Sequence, residues 1–336
     1  MLLYNNLLLN DIAIKMLKPH IPRSMYRNLY DKDVVIVINA EEAIKGIINN
    51  KYKNLLVYNF WSILSGLLSD TNTPFTSIGG ASPIARTFIK VSGGAAYVVF
   101  GVDTVAESFT QFKLGNRVTA LEGTAISPTI VRESDRIRVR FGRVTADTVY
   151  EVGLYQTIYD TGGYAHTVMH GRKVIPNTPG GRQVFYDIVL FSPFTAQMAR
   201  YVFGFLTETN QSMTDASGGS YTARTGGDVN AGGLYLAIGT GSGAFTFDDI
   251  NLTSRIDLAS AANNIQSPPT RSLLIVSGAI RLSSAINIAE IGLLQNIFDT
   301  AAGTHPTLLA RIVLPTAVPK AAGDAFTAVI SILAGA

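Results

Sequence analysis

The sequence predicts a mainly β protein. It divides into two tandem antiparallel β-sandwich (jelly-roll-like) domains, each preceded by an α-helix, plus an N-terminal helical segment. Three observations carry this expectation. A helix-then-strands pattern occurs twice in the 336 residues. The runs after each helix alternate with period two or are short and apolar. Clusters of Gly, Thr, Asp and Pro separate those runs as turns. The expected units are residues 1–53 as a mostly helical arm, 54–192 as the first helix-plus-sandwich repeat and 193–336 as the second.

In the arm, DVVIVINA (33–40) has strand character, and Asn39 with Glu42 forms a capping-box-like start for a helix running to about Ser69. The arm also carries the charge imbalance. Eight Lys/Arg face five acids in residues 1–58, which accounts for the whole formal charge of +3 and leaves the other 278 residues neutral. Duplex binding therefore has electrostatic support only through this basic arm. The arm has no counterpart in the repeat, so a docking function specific to one end of the molecule belongs there.

The repeat begins with a helix. Phe60, Ile63, Leu64, Leu67 and Leu68 form an i, i+3, i+4, i+7, i+8 stripe, and Met198, Tyr201, Val202, Phe205 and Leu206 repeat it 138 residues later. Ser192 as N-cap, with Pro193 at the first helical position, is the expected start of the second helix. At the same offset Ala85-Arg86-Thr87 recurs as Ala223-Arg224-Thr225, YVVFG (97–101) as YLAIG (235–239), and Leu114 with Arg117 as Leu252 with Arg255. The offset then slips by one residue. EVGLY from Glu151 matches EIGLL from Glu290, Asp160-Thr161 matches Asp299-Thr300, His166 matches His305, Arg172 matches Arg311, and Pro176 matches Pro315.

The strands follow. In Arg136–Phe141 arginines alternate with apolar residues, the mark of a half-buried strand. The closing runs VFYDIVLF (184–191) and FTAVISIL (326–333) read as strands covered on both faces. Turns at 160–163, 178–181 and 239–243 complete the pattern of a sandwich or jelly roll.

Composition narrows the function classes. A hydrophobic fraction of 47% against 15% charged residues implies large buried surfaces and an outer surface that partner subunits would cover. Without cysteine there are no disulfides, zinc–thiolate sites or thiol nucleophiles. The start, MLLYNNLLLNDIAIK, lacks a basic region and is interrupted by Asn5 and Asn6, which argues against a signal peptide. No run reaches the roughly 18–20 apolar residues that span a bilayer, so no membrane partner is expected.

Each motif-like feature also has a structural reading. GTGSG (239–243) lacks the Gly-Lys-Ser/Thr ending of a phosphate-binding loop and reads as a turn. Asp248-Asp249, Asp103, Glu151 and Glu290 are the candidate acid/base carboxylates, yet Glu151 and Glu290 read as buried carboxylates bonded to a turn. No serine sits in a G-x-S-x-G elbow. Tyr155, Tyr159, Tyr164, Tyr201 and Tyr221 are candidates for stacking sugars, or residents of a sandwich rim. His166 and His170 have the H-x-x-x-H spacing of a helical metal site. They lie, however, in a segment that follows a Gly-Gly turn and reads as strand, where four residues span about 13 Å. In the second copy His170 is replaced by Leu309. No catalytic, cofactor or metal residue is therefore assigned.

Tyr235–Gly241, Leu252 with Arg255, Glu290-Ile291-Gly292-Leu293 and Leu309-Ala310-Arg311 form a pattern that resembles the repeat of tail, collar and fibre-associated structural proteins from tailed bacteriophages and some archaeal viruses. The first copy departs from it, with Gly101-Val102-Asp103 in place of Gly-Thr-Gly and Met169-His170-Gly171-Arg172 in place of Leu-Leu-Ala-Arg. The resemblance spans roughly residues 55–336. It implies a virion location, a homo-oligomeric ring, collar or tail component, and portal, neck or tail proteins as partners. It implies no catalytic residue and no cofactor. The alternative is a glycan- or host-surface-binding module at a tail tip or fibre.

Overall fold

A computed structural model describes residues 2–4, 7–8, 34–39, 44–48, 52–69, 72–86, 93–225, 234–260, 262–264 and 272–333. The arm contributes β1 (Leu2–Tyr4), β2 (Leu7–Leu8), β3 (Val34–Asn39), β4 (Ile44–Ile48) and β5 (Tyr52–Leu56). The first copy runs α1 (Tyr58–Ser69), β6 (Thr73–Pro74), β7 (Ile84–Ala85), β8 (Tyr97–Gly101), β9 (Glu122–Arg132), β10 (Ile137–Thr145), β11 (Val149–Tyr159), β12 (Ala165–Thr178) and β13 (Gln183–Leu190). The second runs α2 (Ala196–Thr207), β14 (Gln211–Thr214), β15 (Ser220–Ala223), β16 (Leu234–Gly239), β17 (Arg255–Ser260), β18 (Ala262–Asn264), β19 (Ser272–Arg281), β20 (Ile286–Phe298), β21 (Thr304–Lys320) and β22 (Ala325–Leu333). The chain is mainly β, and each copy has a helix, a two-stranded hairpin and then a further series of strands.

Strand pairing repeats as well. β8, β11 and β12 pair antiparallel in that order, as do β16, β20 and β21. β10 lies between β9 and β13, and β19 between β18 and β22. The arm then extends these sheets. β4 pairs with β13, β5 joins β4 to β12, and β3 runs parallel to β22. With β1 parallel to β3 and β2 antiparallel to β1, these pairings produce one eight-stranded and one six-stranded sheet, with β17-β16-β20-β21 as a further sheet of four.

Each helix bridges the two copies. α1 packs on β12 of its own copy and on β19 of the other, while α2 packs on β21 of its own copy and on β10 of the other. Gln156 Nε2 donates to the Phe205 carbonyl of α2 at 2.9 Å, and its counterpart Gln295 donates to the Leu67 carbonyl of α1 at 2.9 Å. This reciprocity is what an approximate internal twofold produces. All five stripe residues of α1 are at most 4% exposed, and they share one hydrophobic core with the α2 stripe and with strands of both copies. At roughly 1.5–3 kcal/mol for each buried large apolar side chain, the helices are a major link between the copies. The core thus runs unbroken across residue 192.

Three local expectations are revised. The first helix starts at Tyr58, not near Asn39, because Ile44–Ile48 and Tyr52–Leu56 are strands. The apolar residues upstream are used in strands instead: Ile44–Ile48 pairs with β13 and Tyr52–Leu56 pairs with β4. The described parts of the arm are strand throughout, and the Asn39–Glu42 cap lies partly outside the described residues. The N-cap of α2 is Thr195, not Ser192. Pro193, Phe194 and Thr195 lie along β21 first: Arg311 N donates to Pro193 O and Thr195 N to Leu309 O, both at 3.0 Å, and the helix begins after them. Finally, the arginine face of β10 is covered. Ile137, Val139 and Phe141 fill the core, while Arg138 and Arg140 both bind Asp187, which β13 buries completely.

Candidate functional site

The polar residues kept by both copies gather around a duplicated β-bulge. In the β11–β12 hairpin Tyr155 pairs with Met169 but Leu154 pairs with Gly171, so His170 is left over. In the β20–β21 hairpin Leu294 pairs with Leu308 and Leu293 with Ala310, so Leu309 is left over. A bulged residue frees its backbone from the ladder. Here the freed carbonyls meet the helix approaches: Val57 N donates to His170 O and Thr195 N to Leu309 O, each at 3.0 Å.

One residue beyond each bulge pair stands a wholly buried arginine on a wholly buried glutamate. Arg172 Nε donates to Glu151 Oε2 at 2.7 Å, and Arg311 Nε to Glu290 Oε2 at 2.8 Å. The carboxylates are also saturated from the backbone. Glu151 accepts from Asn116 N at 2.8 Å and Gly115 N at 3.1 Å; Glu290 accepts from Ser254 N at 2.9 Å, Thr253 N at 3.1 Å and Gly241 N at 3.2 Å. The guanidinium groups bind the facing loops: Arg172 reaches Gln111 and Asp103, and Arg311 reaches Asp249, Thr253 and the carbonyls of Gly243 and Ala244. Burial works against the charge of Arg311, yet its bonds to Asp249 and Glu290 hold its pKa above the ordinary arginine value. GTGSG is therefore a turn wrapped around this node. A Cβ on Gly239 would come within 2.5 Å of Glu290 Oε1, so the close approach of backbone to carboxylate requires glycine there.

These nodes are architectural. Both oxygens of each carboxylate are occupied and out of contact with solvent, which suits a fixed pin and leaves no lone pair for a substrate proton. The expectation that Glu151 and Glu290 are buried and bonded to a turn matches the geometry. The arginine partners and the role of Asp187 were not foreseen. Asp248 and Asp249 serve different partners, Asp248 pairing with Arg132 of the other copy and Asp249 with Arg311.

The histidine pair lies on a strand, as expected, and the two rings are engaged separately. His166 Nε2 lies 2.9 Å from Asp160 Oδ2. His170 is fully buried, with Nε2 2.8 Å from Gln156 Oε1 and its ring edge-on to Phe60 of α1 and Phe205 of α2. Of the five candidate tyrosines, Tyr155 and Tyr201 are core residues. Tyr155 accepts a bond from Leu114 N at 2.8 Å, and burial pushes its pKa up to about 12. Tyr221 stacks on His305, Arg86 lies over Tyr159, and Tyr164 is 72% exposed on the Gly-Gly turn. No helix among the described residues is long and apolar enough to cross a membrane. Comparison of the chain with protein-family models, with curated proteins and with solved structures finds no match in any of the three.

Proposed function

We propose that the chain is a virion structural protein that acts as a homo-oligomer, building a ring, collar or tail component and contacting portal, neck or tail proteins. The observation that carries this reading is how the polar residues retained by both copies are used. Glu151/Glu290, Arg172/Arg311, Asp160/Asp299, His166/His305 and Gln156/Gln295 all hold the chain's own strands, turns and helices together. Chemistry preserved through duplication serves a rigid frame with two similar flanks, which is what repeated subunit contacts need. The sparse charge supports the same reading, since subunit interfaces are depleted in charged residues at their centre. The arm outside the repeat is the proposed docking segment for a protein partner or, through its basic residues, for nucleic acid. The purified full chain is expected to form one closed oligomer by light scattering and rings in negative-stain images. A monomer at high concentration, with no rings in the images, would sink the proposal.

Tyr164 favours a second reading, glycan or host-surface binding, because its ring is presented to solvent at a turn tip. Saturable binding on a glycan array that disappears in Tyr164→Ala is the expected outcome for that reading. Binding unaltered in Tyr164→Ala removes the residue that motivates it.

A further inference from the structure

We infer that the second copy carries a proton-operated clamp that the first copy lacks: His305, gripped between Asp215 and Asp299, ties the β14–β15 hairpin to the β20–β21 turn while its ring holds both protons. Nδ1 lies 3.0 Å from Asp215 Oδ2 and Nε2 lies 3.1 Å from Asp299 Oδ2. An ionised carboxylate only accepts hydrogen bonds, so both ring nitrogens must donate, and only the imidazolium does that. The ring is stacked on Tyr221 at 4.1 Å and 11°, a face that favours a cation.

Each carboxylate uses its other oxygen to organise its own loop. Asp215 Oδ1 accepts from Ser217 N and Gly219 N at 2.9 Å and from Ser217 Oγ at 2.6 Å. Asp299 Oδ1 accepts from Ala301 N at 2.8 Å and Gly303 N at 2.7 Å. One ring thus joins two pre-organised loops. The hairpin presents Asp215, Tyr221 and, at its end, Arg224, whose guanidinium donates to the Thr300 carbonyl at 3.4 Å; the turn presents Asp299. Tyr221 is further tied to Thr307 through its hydroxyl at 2.5 Å.

Among the described residues the first copy has no such arrangement. Ser77 and Pro83 stand at the positions of Asp215 and Tyr221. His166 meets one carboxylate, Asp160, through Nε2, and Phe75 lies edge-on to it at 5.8 Å. That single contact needs a proton on one ring nitrogen only, Nε2.

Burial opposes the charge on His305, but bonds to the two carboxylates hold its pKa above the ordinary 6.5. Asp215, although desolvated, is held down to about 2 by Ser217, His305 and Gly219. Since the folded His305 binds its proton more tightly than the unfolded chain does, the clamp contributes fully below pH 6.5. Its contribution is lost as pH rises through the folded value. This end of the molecule is then tight in acid and loosened in base.

The test follows imidazole carbon-bound proton signals of the full chain across pH, with His305 assigned by His305→Gln, and amide exchange corrected for its intrinsic pH dependence. His305 is expected to titrate above 6.5, and protection at Gly219 and Gly303 to fall through that same midpoint. Asp215→Ser, which copies the first repeat, is expected to lower the midpoint and abolish the step, with the Asp160–His166 turn unaffected. Titration of His305 at or below 6.5, or loop protection that stays flat through its midpoint, would overturn the inference. Both readouts are available in the wild-type chain even if Asp215→Ser does not fold.

Discussion

Replacing Arg311 with alanine is expected to lower the unfolding free energy by about 3–5 kcal/mol, and Arg172→Ala by a similar amount. The cost comes from the partner left behind. Glu290 is wholly buried, and Arg311 is the cation bonded to it. Without it, an ionised carboxylate stays in the interior with only backbone amides to stabilise it. Protonating that carboxylate instead would weaken the amide bonds that shape the turn from Gly239 to Ser254. A loss of this size is a large fraction of the roughly 5–15 kcal/mol that stabilises most folded proteins. Urea titration provides the measurement, with the midpoint displaced and the slope unchanged. Glu290→Gln combined with Arg311→Met is expected to recover much of the loss, because glutamine retains an acceptor for the amides and no buried charge remains. An Arg311→Ala midpoint equal to that of the wild type would refute the assignment of this node as a structural pin.

Part of this node is legible in the sequence. Glu151 and Glu290 stood out because each precedes a Gly-Leu in both copies, and Arg172 and Arg311 because they recur at the matching offset. Their pairing was hidden by the bulge. With the hairpin closing at Tyr159↔Ala165, a regular ladder keeps one register throughout, but the extra residue at His170 shifts it by one and brings Arg172 opposite Gly153. A bulge depends on backbone geometry and has no residue signature of its own. The helices show a related limit. Their stripes were plain from spacing, yet spacing says only that a face is buried. That α1 covers β19 of the other copy follows from the internal twofold, which no local pattern encodes. The arm misled for the opposite reason. A capping-box pattern is a local preference, and it was overruled by the vacant edge of β13, which Ile44–Ile48 fills.

His170 is expected to make the protein lose stability in mild acid, with a slope near 1.4 kcal/mol per pH unit below pH 6.5. Its ring sits at the bulge between both helices, and burial lowers its pKa from 6.5 to about 3. Nε2 faces Gln156 Oε1, and Nδ1 has no partner among the described residues, so a second proton would be a buried charge without a counter-ion. Between the two values the unfolded chain binds a proton that the native state refuses. Stability therefore rises with pH across that window and is fully present above 6.5. His305 has the opposite sign: its contribution is constant below 6.5 and falls only above it, so the two pH dependences do not overlap. Carboxylates begin to contribute below about pH 4.5, which leaves roughly pH 4.5–6.5 for His170. The second copy suggests the control, because Leu309 occupies the same bulge position. His170→Leu leaves Gln156 Oε1 without its donor, at a cost of about 1–3 kcal/mol near neutrality. In return it removes the titrating group, so its urea midpoint is expected to be nearly flat over that window while the wild-type midpoint falls. Parallel pH profiles for the two proteins would mean that His170 is protonated without penalty, and that the meeting point of the two helices is open to water.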